Sequence, residues 1–599
     1  MPTLRRSWKR FALAVIGMCW ITIAVGQTAP SVSVEINLVQ STLPLLTDLR
    51  RLLGFDPKQA IIDNIKSFLT LEQQRSSPLL TDARVMQLFR LGNKEIAQAL
   101  QPFGFYSPTI TPDITQTKDG WEVRYRIDLG PPMQIQSVVI AITGAGEQDE
   151  VLQRTVANMR IKQGAPFRHQ DYEDDKRDLL RRALDRGYLD SFYTVHSVEV
   201  ATKENAATIR LTLDTNIRYS LGPVAFSDNT IIAEDMLRRY LPFKQGDPYS
   251  PTALFDFQNA LYDTDYFAVA EVQSRREMAE NNEVPIDVTL TAKDRNRYTA
   301  GVGYSTDVGP RGTLGWQQRR INQRGDRFRT ELRVSEVKDS FSALYAIPIR
   351  NPRTDKVEFS ATWNSETQTD REDETYVYGV SRTISRRQNW AETVFLNYQT
   401  DAYRLLTDTG HSRFLIPGII WSYSRADNRI YTWNGLKLSL ELRGTHPDLL
   451  SDSHFAQILT NGKWITRISE NSRLLLRGEA ATTQFGELNT LPPSLRFFAG
   501  GDQSVRGYDY KSLSPDSLGG EQLLVGSAEY EWRFTSDWGA AIFTDAGNAM
   551  NNWTTPLAKS VGLGVRWYSP VGPLRVDLAQ SISDPNMRPA WHIVIGPDL

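Results

Sequence analysis

The chain has very little cysteine and no excess of charge of one sign. Cys19 is the only cysteine among 599 residues, so a disulfide framework is excluded. With 68 basic and 70 acidic residues the composition gives no basic footprint for nucleic acid. Beyond the N-terminus no stretch approaches ~18 consecutive apolar residues, which excludes a bundle of transmembrane helices. A transmembrane β-barrel stays possible because its strands expose only alternate side chains to lipid.

Motifs for catalysis and small-molecule binding are also missing. The chain contains no H-E-x-x-H, no Walker loop, no G-x-G-x-x-G and no G-x-S-x-G. We therefore expect no catalytic residue, no metal, no cofactor and no small-molecule substrate. A lipase site within the barrel remains an alternative, because its serine and histidine need only meet in space. The histidines are scattered along the chain: His169, His196, His411, His446, His454 and His592.

The first thirty residues are typical of an export signal. An apolar stretch over residues 11–26 follows a short basic segment and ends in the small residues Ala24-Val25-Gly26. We predict a signal peptide over residues 1–26; a retained membrane anchor is the alternative. Cleavage would remove Cys19 and leave an exported mature chain without thiols.

A mixed pattern of helix and strand repeats about every 80 residues behind this segment. Residues 164–167 (Gly-Ala-Pro-Phe) precede a charged stretch with apolar residues at helical spacing, which ends at 187–189 (Gly-Tyr-Leu). The same order begins again 82 positions later, at 246–249, and ends at 265–267. An earlier copy ends at 103–106. This period is too long for a helical solenoid and favours a string of small α+β domains.

Each copy resembles a POTRA (polypeptide-transport-associated) domain, in which a helix and a Gly-Tyr or Gly-Phe step precede two strands. Generic small periplasmic domains are the alternative interpretation. The predicted organisation is a signal peptide, three POTRA-like domains and an outer-membrane β-barrel, over residues 1–26, 31–129, 130–216, 217–294 and 295–599.

From about residue 297 the helical spacing gives way to strict alternation. Residues 298–304 and 561–567 place apolar side chains on one face and Gly, Thr or Arg on the other. A soluble sandwich would bury the apolar face, whereas a membrane barrel turns it to lipid. Eleven of the fourteen tryptophans lie beyond residue 295, as an interfacial girdle requires. We predict an all-β antiparallel transmembrane barrel, for which about 305 residues allow roughly fourteen to eighteen strands.

A Gly-rich polar segment, residues 500–508, follows a Pro-Pro break and is therefore predicted to lie in a long loop. Arg506 in this loop is able to fold inward and pair with carboxylates through forked hydrogen bonds, while Gly507 lets the backbone turn. Alternation places Glu529 and Asp545 on the lumenal faces of neighbouring strands. The alternative is an external loop with a solvated arginine.

Two motifs in this region resemble those of the outer-membrane assembly superfamily that includes BamA, TamA and the two-partner secretion transporters. The first motif is V-R-G-[FY], matched by Val505, Arg506, Gly507 and Tyr508; the second is F-x-D-x-G, matched by Phe543, Asp545 and Gly547. The resemblance implies a sixteen-strand barrel in which Arg506 lies inside against Asp545, with Glu529 as a further partner.

Within this superfamily, three POTRA-like repeats make the chain similar to the TamA family, the outer-membrane half of the translocation and assembly module. The resemblance implies location in the outer membrane of a Gram-negative bacterium, with the POTRA domains in the periplasm. It implies a TamB-like inner-membrane partner at the first POTRA domain, and unfolded outer-membrane proteins such as autotransporters as clients. Outer-membrane lipid is a further expected partner, and nucleic acid is not one.

The last and first barrel strands form the seam of the predicted barrel. Gly301 and Gly303 weaken the first strand, while Gly596 and Pro597 end the last one. A terminal Gly-Pro that merely ends a strand is equally compatible with the residues. By resemblance the seam is a lateral gate that inserts client strands; the alternative function is a secretion pore through the lumen. The expected seam residues are Tyr298, Gly301, Gly303, Trp591, Ile593, Ile595, Gly596 and Pro597.

Overall fold

The structure is a computed structural model, and it consists of two compact units. One unit holds the chain up to residue 219 together with 248–250; the other holds 220–247 and the chain from 251 onward. The predicted signal peptide and residues Gly596 and Pro597 lie outside the described part. The residues that the structure describes are 30–39, 57–118, 120–227, 231–368, 371–387, 389–405, 408–428, 431–486, 488–569, 572–584 and 586–595.

The first α+β domain packs three helices on a three-stranded sheet. Its sheet has the order β1-β3-β2, with β1 parallel and β2 antiparallel to the central strand β3. Apolar residues of the longest helix, such as Leu88 and Ile96, are buried against Val123 and Tyr125 of β3. The elements are β1 (Ser31–Leu38), α1 (Pro57–Phe68), α2 (Thr70–Gln74), α3 (Asp82–Leu100), β2 (Thr109–Thr117) and β3 (Gly120–Asp128).

The second domain repeats this topology with the sheet order β4-β6-β5. Asp149 caps its first helix, because its side chain accepts hydrogen bonds from the N–H groups of Val151 and Leu152. Leu179 and Ala183, at helical spacing, are buried against the sheet. The elements are β4 (Gln134–Thr143), α4 (Glu150–Ala157), α5 (His169–Asp185), β5 (Phe192–Ala201) and β6 (Ala206–Asp214).

The third domain has the same sheet order, β7-β9-β8, and leads directly into the barrel. Asp265, after its second helix, accepts hydrogen bonds from Lys293 and from Arg319 of the barrel. Tyr266 Oη donates to the carbonyl of Gly325 at 2.6 Å, in a barrel turn. The elements are β7 (Ser220–Phe226), α6 (Glu234–Arg238), α7 (Pro251–Tyr262), β8 (Phe267–Ser274) and β9 (Glu283–Ala292).

The rest of the chain forms a closed antiparallel barrel of sixteen strands, each paired with its neighbour in sequence. Three α+β domains followed by this barrel confirm the predicted fold class, and the strand number agrees with the one that the family resemblance implied. The barrel strands are β10 (Asn296–Ser305), β11 (Gly309–Gln318), β12 (Arg327–Ser335), β13 (Lys338–Pro348), β14 (Asp355–Gln368), β15 (Arg371–Arg387), β16 (Trp390–Leu405), β17 (Asp408–Ala426), β18 (Gly435–Thr445), β19 (Phe455–Ser469), β20 (Ser472–Gln484), β21 (Gln522–Arg533), β22 (Trp538–Met550), β23 (Ala558–Ser569), β24 (Gly572–Ser581) and β25 (Ala590–Ile595).

The two faces of the barrel wall differ in polarity as the alternation predicts. On β23, Leu563, Val565 and Trp567 are exposed on the outer face, while Arg566 between them is completely buried. A soluble protein would bury the apolar residues and expose the arginine, and a barrel in lipid does the reverse.

Strand direction places the connections of the barrel at its two ends. The chain enters β10 from the third domain, so the turn after β10 and the loop after β20 lie at the far end. That loop, residues 485–521, is the longest connection in the barrel, and we call it the lumenal loop. Among the described residues, no helix is long and apolar enough to cross a membrane.

Candidate functional site

The lumenal loop folds into the barrel and is packed there. Val505 is completely buried and lies in an apolar cluster with Val525 of β21 and Ala549 of β22. Tyr508 Oη and Ser581 Oγ of β24 are hydrogen-bonded at 2.7 Å. Gly507, which lies between Val505 and Tyr508 in the chain, has a φ of +90°, which only glycine adopts without strain. The loop is thus fixed to three strands of the barrel wall.

Arg506 is the centre of a buried charge cluster inside the barrel. Its Nε and Nη2 donate to the two carboxylate oxygens of Asp545 at 2.8 and 3.0 Å, and its backbone N–H donates to Asp545 Oδ2 at 3.1 Å. Nη1 donates to Glu529 Oε2 at 2.7 Å and to Asp577 Oδ2 at 2.9 Å. The guanidinium also lies 3.4 Å from the ring centre of Phe543. These are short charge-assisted bonds, one pair of them forked.

A second arginine, Arg566 of β23, shares the same carboxylates. It contacts Glu529 Oε1 and Asp577 Oδ1, each at 2.5 Å, and Glu531 Oε1 at 3.1 Å. Arg473 of β20 in turn donates to Glu531 Oε2 at 2.6 Å. The described residues therefore form a chain of alternating charges along the inner wall, which we call the charge ladder: Arg506, Asp545, Asp577, Glu529, Arg566, Glu531 and Arg473.

The last residue of the F-x-D-x-G segment makes room for the loop. A Cβ placed on Gly547 would lie 2.9 Å from Val505 Cγ2 and 2.8 Å from the carbonyl oxygen of Leu524. Phe543, Asp545 and Gly547 alternate along β22 and so share one face, as expected. Each of the three contacts or approaches the lumenal loop. The structure thus brings together all the residues that the two motifs singled out, with Glu529 between the two arginines.

The sequence analysis did not predict three residues of this cluster: Arg566, Glu531 and Asp577. A signal for all three was present, because each occupies an inward position of an alternating strand, and Glu531 shares the face of Glu529. Nothing in the pattern distinguished them from other lumenal charges.

The seam between β10 and β25 is held by very little backbone pairing. Within the described residues, which end at Ile595, Ser305 and Val594 form the one residue pair between these strands, whereas ten pairs join β10 to β11 and six join β24 to β25. One further backbone bond joins Thr306 N–H to the carbonyl of Ile593 at 3.2 Å. Along the part of the chain that the structure describes, most of β10 therefore has no strand partner on the β25 side, and the side chain of Val302 is 95% exposed.

The expected seam residues divide into two groups. Tyr298, Gly301 and Gly303 lie on β10, where each is paired with β11 and none with β25. Trp591, Ile593 and Ile595 lie on β25 and are paired with β24. Their strands form the seam, and among the described residues only the last residues of the two strands overlap.

Side chains that the sequence did not single out join the two edges at the far end. Asp502 Oδ1 accepts from Thr306 Oγ1 at 2.9 Å and lies 2.6 Å from His592 Nδ1, and the N–H of Asp502 donates to Asp307 Oδ2 at 2.8 Å. Thr306 and Asp307 follow β10, and His592 belongs to β25. We call Asp502, His592, Thr306 and Asp307 the seam bridge.

Ligand atoms of Asp307, Asp502 and His592 lie within 4.8 Å of one another, a spacing that would suit a metal ion. The N–H of Gly507 donates to His592 Nε2 at 2.8 Å, so the neutral ring keeps its proton on Nδ1. That proton is donated to Asp502. The three residues therefore form a chain of hydrogen bonds rather than a set of metal ligands.

Three α+β domains joined to a closed barrel with an apolar outer face define a class of protein: an outer-membrane barrel with periplasmic POTRA domains. The orientation follows, because the POTRA domains enter from the periplasm. The turn after β10 and the start of the lumenal loop are then at the extracellular end.

Comparison with known proteins gives the family. The Omp85 superfamily domain matches residues 321–597, the first TamA-type POTRA domain matches 55–129, and the POTRA repeat matches 138–216 and 219–293. The chain is an outer-membrane protein of the Omp85 superfamily with a TamA-type first POTRA domain. The assembly factors of this superfamily are non-enzymatic.

Two curated relatives are outer membrane protein assembly factors BamA. The one from Nitratidesulfovibrio vulgaris is 22% identical over 552 residues, which are 86% of this chain and 68% of the relative. The one from Neorickettsia risticii is 20% identical, over 71% of this chain and 60% of the relative. The crystal structure of BamA from Haemophilus ducreyi lacking POTRA domains 1–3 superposes with a TM-score of 0.65 at 18% identity, covering 78% of this chain and 99% of that one. This likeness concerns the fold.

Proposed function

We propose that this protein inserts other β-barrel proteins, autotransporters among them, into the outer membrane through the seam between β10 and β25. The proposal is supported by the pairing of these strands: up to Ile595, where the described residues end, one residue pair joins them, beside ten pairs at the next junction. An open edge of β10 offers unpaired N–H and carbonyl groups to the strand of a client.

The energetics favour opening at this junction. A backbone hydrogen bond contributes about 0.5–1.5 kcal/mol net, so the backbone bonds found among the described residues, the one pair and the bond at Thr306, contribute only a few kcal/mol to closure. Unsatisfied backbone groups in lipid cost several kcal/mol each, and an incoming strand removes that cost. Insertion of this kind needs no nucleotide, because burial of the client's apolar face in lipid drives it.

The alternative is a secretion pore that passes an unfolded chain through the lumen. That route requires the lumenal loop to leave the barrel, and so to break the bonds of Arg506 to three buried carboxylates. Removing one partner of a buried ion pair costs about 3–5 kcal/mol. The lumenal route therefore begins from a larger barrier than the seam, and we place it second.

The partner and the clients are part of the proposal. The TamA-type match over residues 55–129 supports a TamB-like inner-membrane protein as the partner of the first POTRA domain. Autotransporters and other unfolded barrel proteins would be the clients, and outer-membrane lipid the medium into which they pass.

A disulfide across the seam tests the mechanism, since Cys19 is the only native cysteine. Ser305→Cys and Val594→Cys replace directly opposed residues of β10 and β25. The matched control places the pair at Gly301 and Thr313, which oppose each other on β10 and β11. We expect oxidation to block insertion of a client autotransporter only with the seam pair, and reductant to restore it. Full insertion through the oxidised seam would exclude lateral gating and favour the lumenal pore.

A further inference from the structure

Asp502 is placed where one residue of the lumenal loop contacts both edges of the seam. Its carboxylate accepts from Thr306 at 2.9 Å on the β10 side and from His592 at 2.6 Å on the β25 side. Its backbone N–H adds a bond to Asp307. The side chain of Asp502 is 2% exposed and that of His592 6%, so the bond between them is shielded from water, and a hydrogen bond is stronger in such surroundings.

His592 is held by two residues of the loop at once. Gly507 donates its N–H to Nε2, and Asp502 accepts the proton of Nδ1. Gly507 follows Arg506, so the geometry that binds the loop to the charge ladder also fixes the ring of β25. On the other edge, Thr306 Oγ1 accepts from the N–H of Ile593 at 3.0 Å, which adds a direct link between the edges.

We infer that Asp502 is the positioning residue that couples docking of the lumenal loop to closure of the seam. While the loop is docked, Asp502 ties the start of the β10 turn to β25; when the loop moves, both links are lost together and the edges separate. This role rests on the proposed lateral gate, and it names the residues that keep the gate shut at its extracellular end.

The surrounding charges bear on this coupling. Burial, and next the negative charge of Asp502, raise the pKa of Asp307 to about 7. The closed seam thus favours a protonated Asp307, and closure weakens as pH rises from about 4 to about 7. Other titratable or charged groups lie around the bridge. They include Arg506 and Tyr510 in the loop, Asp577 opposite His592 on β24, Arg311 on β11 at the carbonyl of Ile595, and Lys463, Arg477, Glu529 and Arg575 in the cavity beside it.

Spin labels across the seam test the inference in the full-length protein without a client. Val302→Cys on β10 and Ile593→Cys on β25 carry the labels, and pulsed electron spin resonance gives the distance distribution. We expect Asp502→Ala to raise the separated population at least tenfold, and Asp502→Asn, which keeps an acceptor oxygen, to restore most of the closed population. Gln503→Ala, at an exposed neighbour, is the matched control and leaves the distribution unchanged.

A second variant keeps the test conclusive if Asp502→Ala does not fold. Thr306→Val removes one hydroxyl from an exposed turn and is expected to raise the separated population in the same direction. In the parent protein that population grows between pH 5 and 7.5, and Asp307→Asn removes this dependence. Unchanged distances in both Asp502→Ala and Thr306→Val would overturn the coupling, even where the oxidised seam still blocks insertion and the gate itself stands. Separation caused by EDTA alone would also overturn it, because a cation and not hydrogen bonds would then join the edges.

Discussion

Replacement of Arg506 by alanine should release the lumenal loop from the barrel. The guanidinium contacts three carboxylates, and Arg566 still contacts two of them, so the loss falls mainly on Asp545. An unpaired buried carboxylate of this kind costs about 3–5 kcal/mol. At a factor of ten for each 1.4 kcal/mol, the undocked fraction rises roughly a hundred- to a few-thousand-fold.

The reporter for this prediction is a cysteine at Val505, which is completely buried in the docked loop. Its rate of reaction with a maleimide measures how often the loop leaves its site. Arg506→Lys is the matched variant: it keeps the charge but not the fork to Asp545, so an intermediate rate is expected. Equal rates in the parent, lysine and alanine proteins would show that the charge ladder does not hold the loop.

Two substitutions test how closely the loop fits the wall, and two test the POTRA domains. Gly547→Ala places a methyl against Val505 and should cost about 1–3 kcal/mol of loop docking, seen as faster maleimide labelling, whereas Gly526→Ala, in open space on β21, should not. Asp149→Ala should lower the free energy of unfolding of the second POTRA domain by about 1 kcal/mol, because it removes the N-cap of a helix. Burial raises the pKa of the Asp149 carboxyl, but hydrogen bonds from Arg186 and from backbone N–H groups lower it more, so the pKa lies below its usual value. The contribution of ionised Asp149 to the stability of the domain is therefore lost as pH falls below about 4. Tyr266→Phe removes the bond to the turn at residue 325 and should speed hydrogen exchange there.

Alternation and short motifs made much of the barrel and of the charge ladder predictable. The period of two puts Glu529 and Asp545 on the inner face whatever the rest of the chain does. The POTRA-like domains were predictable because a helix with one apolar face followed by two alternating strands is also a local signal.

The seam bridge could not be predicted in this way. Asp502 and His592 are 90 residues apart, and they meet only because the barrel closes and the loop folds inward. Neither residue breaks the local pattern around it. The glycines of β10 suggested a weak strand, yet both pair regularly with β11. The pairing of β10 with β25 depends on the register of the whole barrel, which no local segment determines.

The two sides of the seam are supported very differently, and this asymmetry indicates which edge moves. Strands β20 to β24 are joined on their inner face by the charge ladder, and β25 is tied to the same loop through His592. On the other side, the inward positions of β10 include Thr299, Gly301 and Gly303, whose side chains are small or absent. Apart from its ladder with β11, the described contacts of that edge are the bonds of Thr306 and Ser305 to β25 and the bonds of Thr306 and Asp307 to Asp502. We therefore expect β10 to move further than β25 when the loop leaves its site and the seam separates.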